Sequence, residues 1–118
     1  MGQFLYLYRM TAAARQENMG TPERVQQTMQ RWMQWMNDLD AKGHLAGRGQ
    51  PLEQTGKVVR GPQKTVTDGP FTESKDVIGG FTLIEARDID QAVELSRGCP
   101  ILEGDGAVEV RPVMKMDM

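Results

Sequence analysis

The spacing of apolar residues predicts a strand and then a long helix in the first part of the chain. Residues 3–9 (QFLYLYR) are rich in aromatic and aliphatic side chains and too few to form a helix, so they predict a mostly buried strand. Thr21-Pro22-Glu23 offers an N-cap residue, a proline at the first helical position and an acid that the helix dipole favours. The helix that begins there ends before Gly43, and its apolar residues recur mostly at steps of three or four. The predicted buried stripe consists of Val25, Met29, Trp32, Met33, Met36 and Leu39, with Trp35 off its centre.

Shorter elements follow, and glycine and proline separate them. A short strand is predicted near residues 44–49. Residues 57–60 and 64–68 flank Gly61-Pro62-Gln63 and predict a hairpin whose turn is longer than two residues. Residues 80–86 (GFTLIEA) predict the next strand.

A second helix and a final strand complete the pattern. Asp88 and Gln91 form a capping-box pattern at the start of the helix, and Gly98-Cys99-Pro100 stops it. Residues 107–113 (AVEVRPV) alternate small or apolar side chains with charged ones and predict a strand. Residues 114–118 predict a frayed tail, so the expected domain spans residues 1–113.

This order of elements predicts an α+β fold. It is the ferredoxin-like split βαβ arrangement with a hairpin inserted in the middle. Two helices would then cover one face of an antiparallel sheet. The other face keeps apolar side chains such as Phe81 and Leu83, and a second copy could cover them because a two-fold contact buries the same patch twice. We therefore expect a homodimer that associates through the sheet face.

Composition narrows the classes of partner and compartment. The 118 residues suffice for one domain, with 39% hydrophobic and 25% charged residues. A formal net charge of -2 gives no general attraction to nucleic acid or to anionic lipid. The apolar run 4–8 is too short for a signal peptide or a membrane span. We expect a soluble, cytoplasmic protein that binds neither nucleic acid nor membranes.

Few residues are suited to metal or cofactor chemistry. Cys99 is the single cysteine, so no internal disulfide and no cysteine cluster for zinc can form. His44 is the single histidine, which further weakens a metal site. The chain has no GxGxxG segment between a strand and a helix, and GRGQP at residues 47–51 is too short and is interrupted by proline. We expect neither a metal nor a cofactor.

Three segments carry a resemblance to a known family. They are Asp68-Gly69-Pro70-Phe71-Thr72-Glu73-Ser74-Lys75, Gly79-Gly80-Phe81 and the terminal VEVRPV of residues 108–113. With them the chain resembles the DGPF-type branch of the YCII-related proteins over nearly its full length. The resemblance implies a ferredoxin-like α+β domain that dimerises face to face into an α/β-barrel-like assembly.

The resemblance implies less about function. A few relatives are described as enzymes, among them a dehydrochlorinase of chlorinated aromatic degradation, and some DGPF-type genes neighbour sigma factors of the extracytoplasmic type. In the short YCII-type relatives a helix histidine paired with an aspartate is the proposed catalytic centre. The equivalent stretch here carries Trp32 and Met33, and the long helix has no histidine. This departure argues against the His/Asp mechanism for this chain.

Asp68 is the first candidate for a catalytic group. Gly69 allows unusual dihedrals and Pro70 offers no donor, which limits the N–H groups that the Asp68 carboxylate can cap. One interpretation is a structural Asx-type turn. The other is a carboxylate held rigidly at a sheet end, as a base or as a group that orients a ligand.

The rest of the motif has the same two interpretations. Glu73 and Lys75 would point the same way on an extended segment, where the pair could lie beside a pocket or be solvated loop charges. Thr72 could donate to a ligand or cap a turn. Gly79-Gly80 indicates close passage of a neighbouring chain or a positive φ rather than a phosphate site. If the motif lines a site, its ligand contacts are Gly69, Pro70, Phe71, Thr72, Gly80 and Phe81, although packing is the commoner role of the two phenylalanines.

Two charged or titratable residues outside the motif are further candidates. His44 follows the long helix, where it is either an ordinary helix-end histidine or a weak candidate for catalysis. Arg111 on the last strand could bind an anionic ligand or pair with an acid such as Glu109 across the dimer.

Three functions remain open. The first is a homodimer that binds a small polar or anionic organic molecule in a cleft near the motif. The second is an enzyme of the dehydrochlorinase or related lyase type, with Asp68 or Glu73 as proton acceptor and Arg111 or Lys75 stabilising negative charge. The third is an interaction module associated with a sigma factor.

Overall fold

The computed structural model describes residues 1–11, 20–69 and 76–116. In chain order its elements are β1 (Gly2–Met10), α1 (Pro22–Ala41), β2 (Leu45–Gly47), β3 (Gly56–Arg60), β4 (Thr65–Gly69), β5 (Val77–Ala86), α2 (Ile89–Ser96), a 3₁₀ helix (Pro100–Glu103) and β6 (Ala107–Pro112). Apart from the 3₁₀ helix, every one of these elements was predicted. No helix in the described part of the chain is both long enough and apolar enough to cross a membrane.

The strands form an antiparallel four-stranded sheet and a separate hairpin. The sheet order is β2-β5-β1-β6, and β3 pairs only with β4 among the described strands. Two helices connect strands of the sheet in the split βαβ manner. The predicted ferredoxin-like α+β fold with an inserted hairpin is therefore confirmed.

Both helices begin as their sequences predict. The Thr21 hydroxyl accepts a hydrogen bond from the N–H of Arg24 at 3.2 Å, and Pro22 occupies the first helical position. The Asp88 carboxylate accepts from the N–H of Gln91 at 2.8 Å. These contacts satisfy N–H groups that the first turn of a helix leaves without a partner.

β5 begins three residues earlier than predicted. Val77 pairs with Met10, and Ile78 pairs with Arg9, beyond a register shift between Tyr8 and Arg9. Across this shift β1 advances by one residue and β5 by two, so the bulge lies in β5 at Gly79, and the pairing continues past the two glycines. The glycines therefore lie inside the strand and do not mark its start.

Strand alternation separates a helix-facing side of the sheet from an open side. On β1 the side chains of Phe4, Tyr6 and Tyr8 are buried under the helices. Leu5 and Leu7 alternate with them and are only half-buried. The core therefore lies entirely between the helices and one face of the sheet.

The buried face of α1 differs from the predicted stripe. Met29 and Met33 are each 58% exposed, whereas Trp35 is 8% and Leu39 3% exposed. The placement of Trp35 off the centre of the stripe was wrong. Its indole N–H donates to the Leu95 carbonyl of α2 at 3.2 Å, and its ring packs on Tyr6 of β1, so the Trp35 edge of α1 faces the sheet.

Four aromatic side chains form the centre of the core, and we call Tyr6, Tyr8, Trp32 and Trp35 the aromatic cluster. Tyr6 stacks on Trp35 with ring centroids 6.0 Å apart. Tyr8 meets Trp32 edge-on at 4.8 Å, and the two indoles meet edge-on at 5.8 Å. Such pairs add about 0.5 to 1.5 kcal/mol each beyond the burial of their area.

The hairpin of β3 and β4 extends away from this core. The radius of gyration is 15.8 Å, compared with about 13.5 Å for a compact chain of this length. Val59 and Val66 pair across the hairpin and are 63% and 60% exposed. The hairpin therefore adds little to the core of the domain.

Alkaline pH should destabilise the protein through its two tyrosines. Burial raises the pKa of both Tyr6 and Tyr8 above the ordinary value of 10.0, so the folded protein holds them as neutral phenols. Their contribution to stability is complete below the pKa of the unfolded chain and is lost as pH rises towards the raised folded values. The chain has two tyrosines, so tyrosinate absorbance should appear together with the loss of helical circular dichroism. Ionisation well before unfolding would contradict this prediction.

Of two glycines with a positive φ, Gly43 and Gly49, Gly49 should tolerate substitution less well. Gly49 has φ +69°, and a Cβ built there would lie 1.7 Å from the Phe81 carbonyl oxygen. Gly43 has φ +78° and open space around it. In urea unfolding, Gly43→Ala should cost about 1 to 2 kcal/mol from backbone strain alone. Gly49→Ala should cost about 3 kcal/mol or more because overpacking is added. Equal losses would contradict the close approach at Gly49.

Candidate functional site

A cleft of about 820 Å³ opens between α1 and one end of the sheet. Its walls come from the N-terminal half of α1, the end of β1, the start of β5, residues 48–51 and residues 100–104. Sites for small organic molecules usually measure about 300 to 1,000 Å³. The cleft is therefore large enough for a metabolite.

Residues 48–52 form one wall by running beside β5. The N–H of Leu52 donates to the Gly79 carbonyl at 2.8 Å, and Pro51 forms an isolated bridge with Gly80. A Cβ on Gly80 would lie 3.1 Å from the Gln50 carbonyl oxygen. The predicted close passage at Gly80 is therefore present, and its neighbour is this segment of the same chain.

Aromatic and aliphatic side chains make up most of the floor. Tyr8 and Trp32 of the aromatic cluster line the cleft together with Met10, Met36 and Ile101. An apolar floor of this kind buries the body of an organic ligand and leaves recognition to a few polar groups.

A short chain of hydrogen bonds crosses the floor. The Tyr8 hydroxyl donates to Thr82 Oγ1 at 2.7 Å, and Thr82 Oγ1 donates to the Arg48 carbonyl at 3.1 Å. Both hydroxyl hydrogens are thus used within the protein, and the Tyr8 oxygen keeps acceptor capacity only. Burial raises the pKa of Tyr8, so its phenol is neutral and is not a base at neutral pH.

The charged side chains of the cleft are predominantly cationic. Three arginines line it, Arg24, Arg31 and Arg48, against the single acid Glu103 among the described lining residues. The cleft thus carries a formal charge of about +2, while the whole chain carries -2. Clefts lined by one sign of charge attract ligands of the opposite sign.

The three arginines differ in their partners. Arg31 forms an ion pair with Glu103 across the cleft. Arg48 Nη2 donates to the amide oxygen of Asn37 at 2.9 Å, and this acceptor is neutral. No carboxylate within the described ranges lies at ion-pair distance from Arg24. Arg24 and Arg48 therefore keep a positive charge that no acid of the described residues neutralises.

Two of the residues selected from the sequence lie at the cleft. Gly80 and Phe81 both belong to its lining. Strand pairing places Phe81 opposite Leu7, so its side chain points to the open side of the sheet.

Asp68 lies outside the cleft lining, on the hairpin. It is the cross-strand partner of Lys57, whose ammonium group forms an ion pair with it, and its side chain is 88% exposed. Gly69 ends β4. The role of Asp68 as a proton acceptor stays a prediction, as does the role of Gly69 in binding. The motif residues Pro70, Phe71, Thr72, Glu73 and Lys75 lie outside the described residues.

His44 and Arg111 also lie away from the cleft lining. His44 Nδ1 is 2.8 Å from the Glu85 carbonyl, and the His44 carbonyl accepts from the N–H of Glu85 at 2.7 Å. Arg111 on β6 is 67% exposed, and its Nε is 3.9 Å from the Glu109 carboxylate of the same strand. These contacts hold each side chain to its own sheet, and their roles in catalysis and binding stay predictions.

The three arginines of the cleft were not predicted from the sequence as site residues. Arg24 and Arg31 are seven residues apart on α1, so they share one face of the helix, and this spacing is a signal that the sequence does contain. Arg48 and Glu103 come from separate segments, and their approach to α1 follows only from the tertiary fold. Trp32 was assigned to the core, which is correct, and it also contributes to the floor.

Cys99 does not take part in the site. It is 2% exposed, and burial raises the pKa of its thiol to about 12. A thiol with so high a pKa is largely protonated at neutral pH and is a poor nucleophile.

Comparison with known families agrees with the fold. The profile of the YCII-related domain matches residues 5–117. No curated protein matches the chain. Since the match covers nearly the whole chain, from the first strand through β6, the protein belongs to the YCII-related domain family.

Proposed function

We propose that the protein binds a small organic anion with an apolar body in the cleft. One observation carries the proposal: three arginines surround a floor built from aromatic and aliphatic side chains. Arginine recognises carboxylate and similar groups through paired N–H donors. An apolar floor beside such donors selects molecules that combine both properties.

The positions of the polar groups suggest how the ligand lies. Its anionic group faces Arg24, whose charge no described acid neutralises, while Arg48 lies beside the later part of α1, where it is bonded to Asn37. Its apolar body packs on Trp32, and a hydroxyl or amide of the ligand can donate to the Tyr8 oxygen. The ligand therefore has an acidic end and an apolar end.

The described contacts favour binding over proton abstraction. Glu103, the one acid among the described lining residues, is paired with Arg31, and the Tyr8 phenol is neutral. Asp68 is paired with Lys57 on the exposed hairpin. No contact among the described residues therefore favours the lyase hypothesis over ligand binding, and Glu73, the other predicted proton acceptor, lies outside them.

Anilinonaphthalene sulfonate, a fluorescent apolar monoanion, provides a direct test of the site. It should bind the wild-type protein, and benzoate should displace it better than neutral benzamide does. Arg24→Gln should weaken binding about tenfold, because it removes a charged donor worth about 1.4 kcal/mol or more. Fluorescence titration measures both effects.

Two control variants make the binding test specific. Arg97→Gln removes an exposed arginine that pairs with Glu94 on α2, outside the cleft, and it should leave the affinity unchanged. Arg111→Gln tests the cation that the sequence selected. If Arg111→Gln weakens binding while Arg24→Gln does not, the anion site lies at the sheet edge and the cleft proposal is wrong.

We also propose that the protein is a homodimer formed through the open side of the sheet. Leu5 pairs with Leu83, and Leu7 pairs with Phe81, which places four large apolar side chains side by side there. Phe81 is 36% exposed, and the other three are half-buried. A second copy would remove this patch from water twice in one contact.

Light scattering during size exclusion should give about twice the mass of the 13.2 kDa chain. Leu7→Lys should produce a monomer, because it places a charge at the centre of the buried patch. Met33→Lys is the matched control, since Met33 is 58% exposed on α1, and it should remain a dimer. A monomeric wild type at micromolar concentration would exclude this assembly.

A further inference from the structure

The cationic wall of the cleft is arranged along one face of α1. Arg24 and Arg31 are two helical turns apart, a rise of about 10 Å, and both line the cleft. The two guanidinium groups therefore occupy separate positions along the wall. An anion bound at one of them does not automatically contact the other.

Only one of these positions already holds a carboxylate. Glu103, at the end of the 3₁₀ helix, reaches across the cleft and pairs with Arg31. The Arg31 and Glu103 side chains are 52% and 55% exposed, so water and salt screen their attraction. Arg24 has no acid partner in the described part of the chain. The Glu103 carboxylate thus occupies the place that a second anionic group of a ligand would take.

From this arrangement we propose that Glu103 determines the charge of the ligand and selects singly charged organic anions over doubly charged ones. A monoanion bound at Arg24 leaves the Arg31–Glu103 pair in place. A dianion whose second group approaches Arg31 must displace the Glu103 carboxylate and remain beside its negative charge. This inference rests on the proposed function, because it concerns the ligand of the same cleft.

The size of the discrimination follows from the position of Glu103. Two like charges about 6 Å apart near a protein surface repel enough to change affinity by about tenfold or more. The open setting of Glu103 reduces this effect through screening, so we expect a factor of about three to ten. High salt should reduce the discrimination further, whereas a purely steric role of Glu103 would not depend on salt.

The test compares a monoanion and a dianion that share one ring. Benzoate and isophthalate each displace anilinonaphthalene sulfonate from the wild type and from Glu103→Gln at neutral pH. The wild type should favour benzoate. In Glu103→Gln the affinity for isophthalate should rise about three- to tenfold, while that for benzoate changes less than about twofold. Glu103 is exposed, so the substitution leaves the fold intact.

The control removes the charge of a glutamate that lies outside the cleft. Glu94→Gln removes the partner of Arg97 on the exposed face of α2, and the ratio of the two affinities should stay at the wild-type value. If Glu103→Gln keeps the wild-type ratio of isophthalate to benzoate affinity, the proposed selectivity is wrong. The anion site itself is still supported in that case, provided that the wild type binds anilinonaphthalene sulfonate and Arg24→Gln binds it more weakly. Failure of the wild type to bind anilinonaphthalene sulfonate would overturn both.

Discussion

The packing of both helices on the sheet depends on buried polar atoms of the aromatic cluster. The Tyr6 hydroxyl donates to the Ala92 carbonyl of α2, and the indole N–H of Trp35 on α1 donates to the Leu95 carbonyl of α2. An unsatisfied polar group at such a position would cost about 1 to 3 kcal/mol. The two bonds therefore fix α2 against β1 and against α1 in a single geometry, where apolar contacts alone would allow sliding. The face that α1 presents to the cleft follows from the same constraint.

The hydrogen bonds of the aromatic cluster position one wall of the cleft, and close backbone packing positions the other. Once Trp35 is turned towards the sheet, Trp32 lies one turn earlier, against Tyr8 at the floor. On the opposite wall, Gly49 and Gly80 allow residues 48–52 to run against β5 at distances that a side chain would prevent. Both walls are thus held by the main fold, and a ligand would meet a site that is already formed.

The sequence predicts the order of elements well because their signals are local. Thr21-Pro22 and the pair Asp88 and Gln91 act within one helical turn, and the alternation in β1 needs only its own residues. The exposed methionines of α1 show the limit of this reasoning. Met29 and Met33 satisfy the apolar spacing but are exposed, and Trp35 is buried instead. The hydrogen-bond partner of Trp35 is Leu95, which lies sixty residues away in the sequence. Hydrophobicity alone carries no information about that partner.

The site was harder to predict than the fold for a related reason. Residues 67–81 are rich in glycine and charged residues, which predicted a site there. Their described part supplies Gly79, Gly80 and Phe81 to one wall of the cleft. The charges that surround the cleft come instead from α1, from Arg48 and from the 3₁₀ helix. They are ordinary surface residues in sequence and become a group only when three segments meet. The spacing of Arg24 and Arg31 on α1 is the one local signal, and it does not show which other segments complete the site.

The inserted hairpin has a consequence for solubility. Neither outer edge of the hairpin pairs with another described strand, so its backbone N–H and C=O groups could pair with another chain, and Val59 and Val66 add apolar side chains beside them. Lys57, Arg60 and Lys64 give residues 56–69 three positive charges against the one negative charge of Asp68. Two copies that approach edge to edge through this hairpin therefore repel each other. Charges of this kind are a common protection of exposed strand edges against fibrous aggregation.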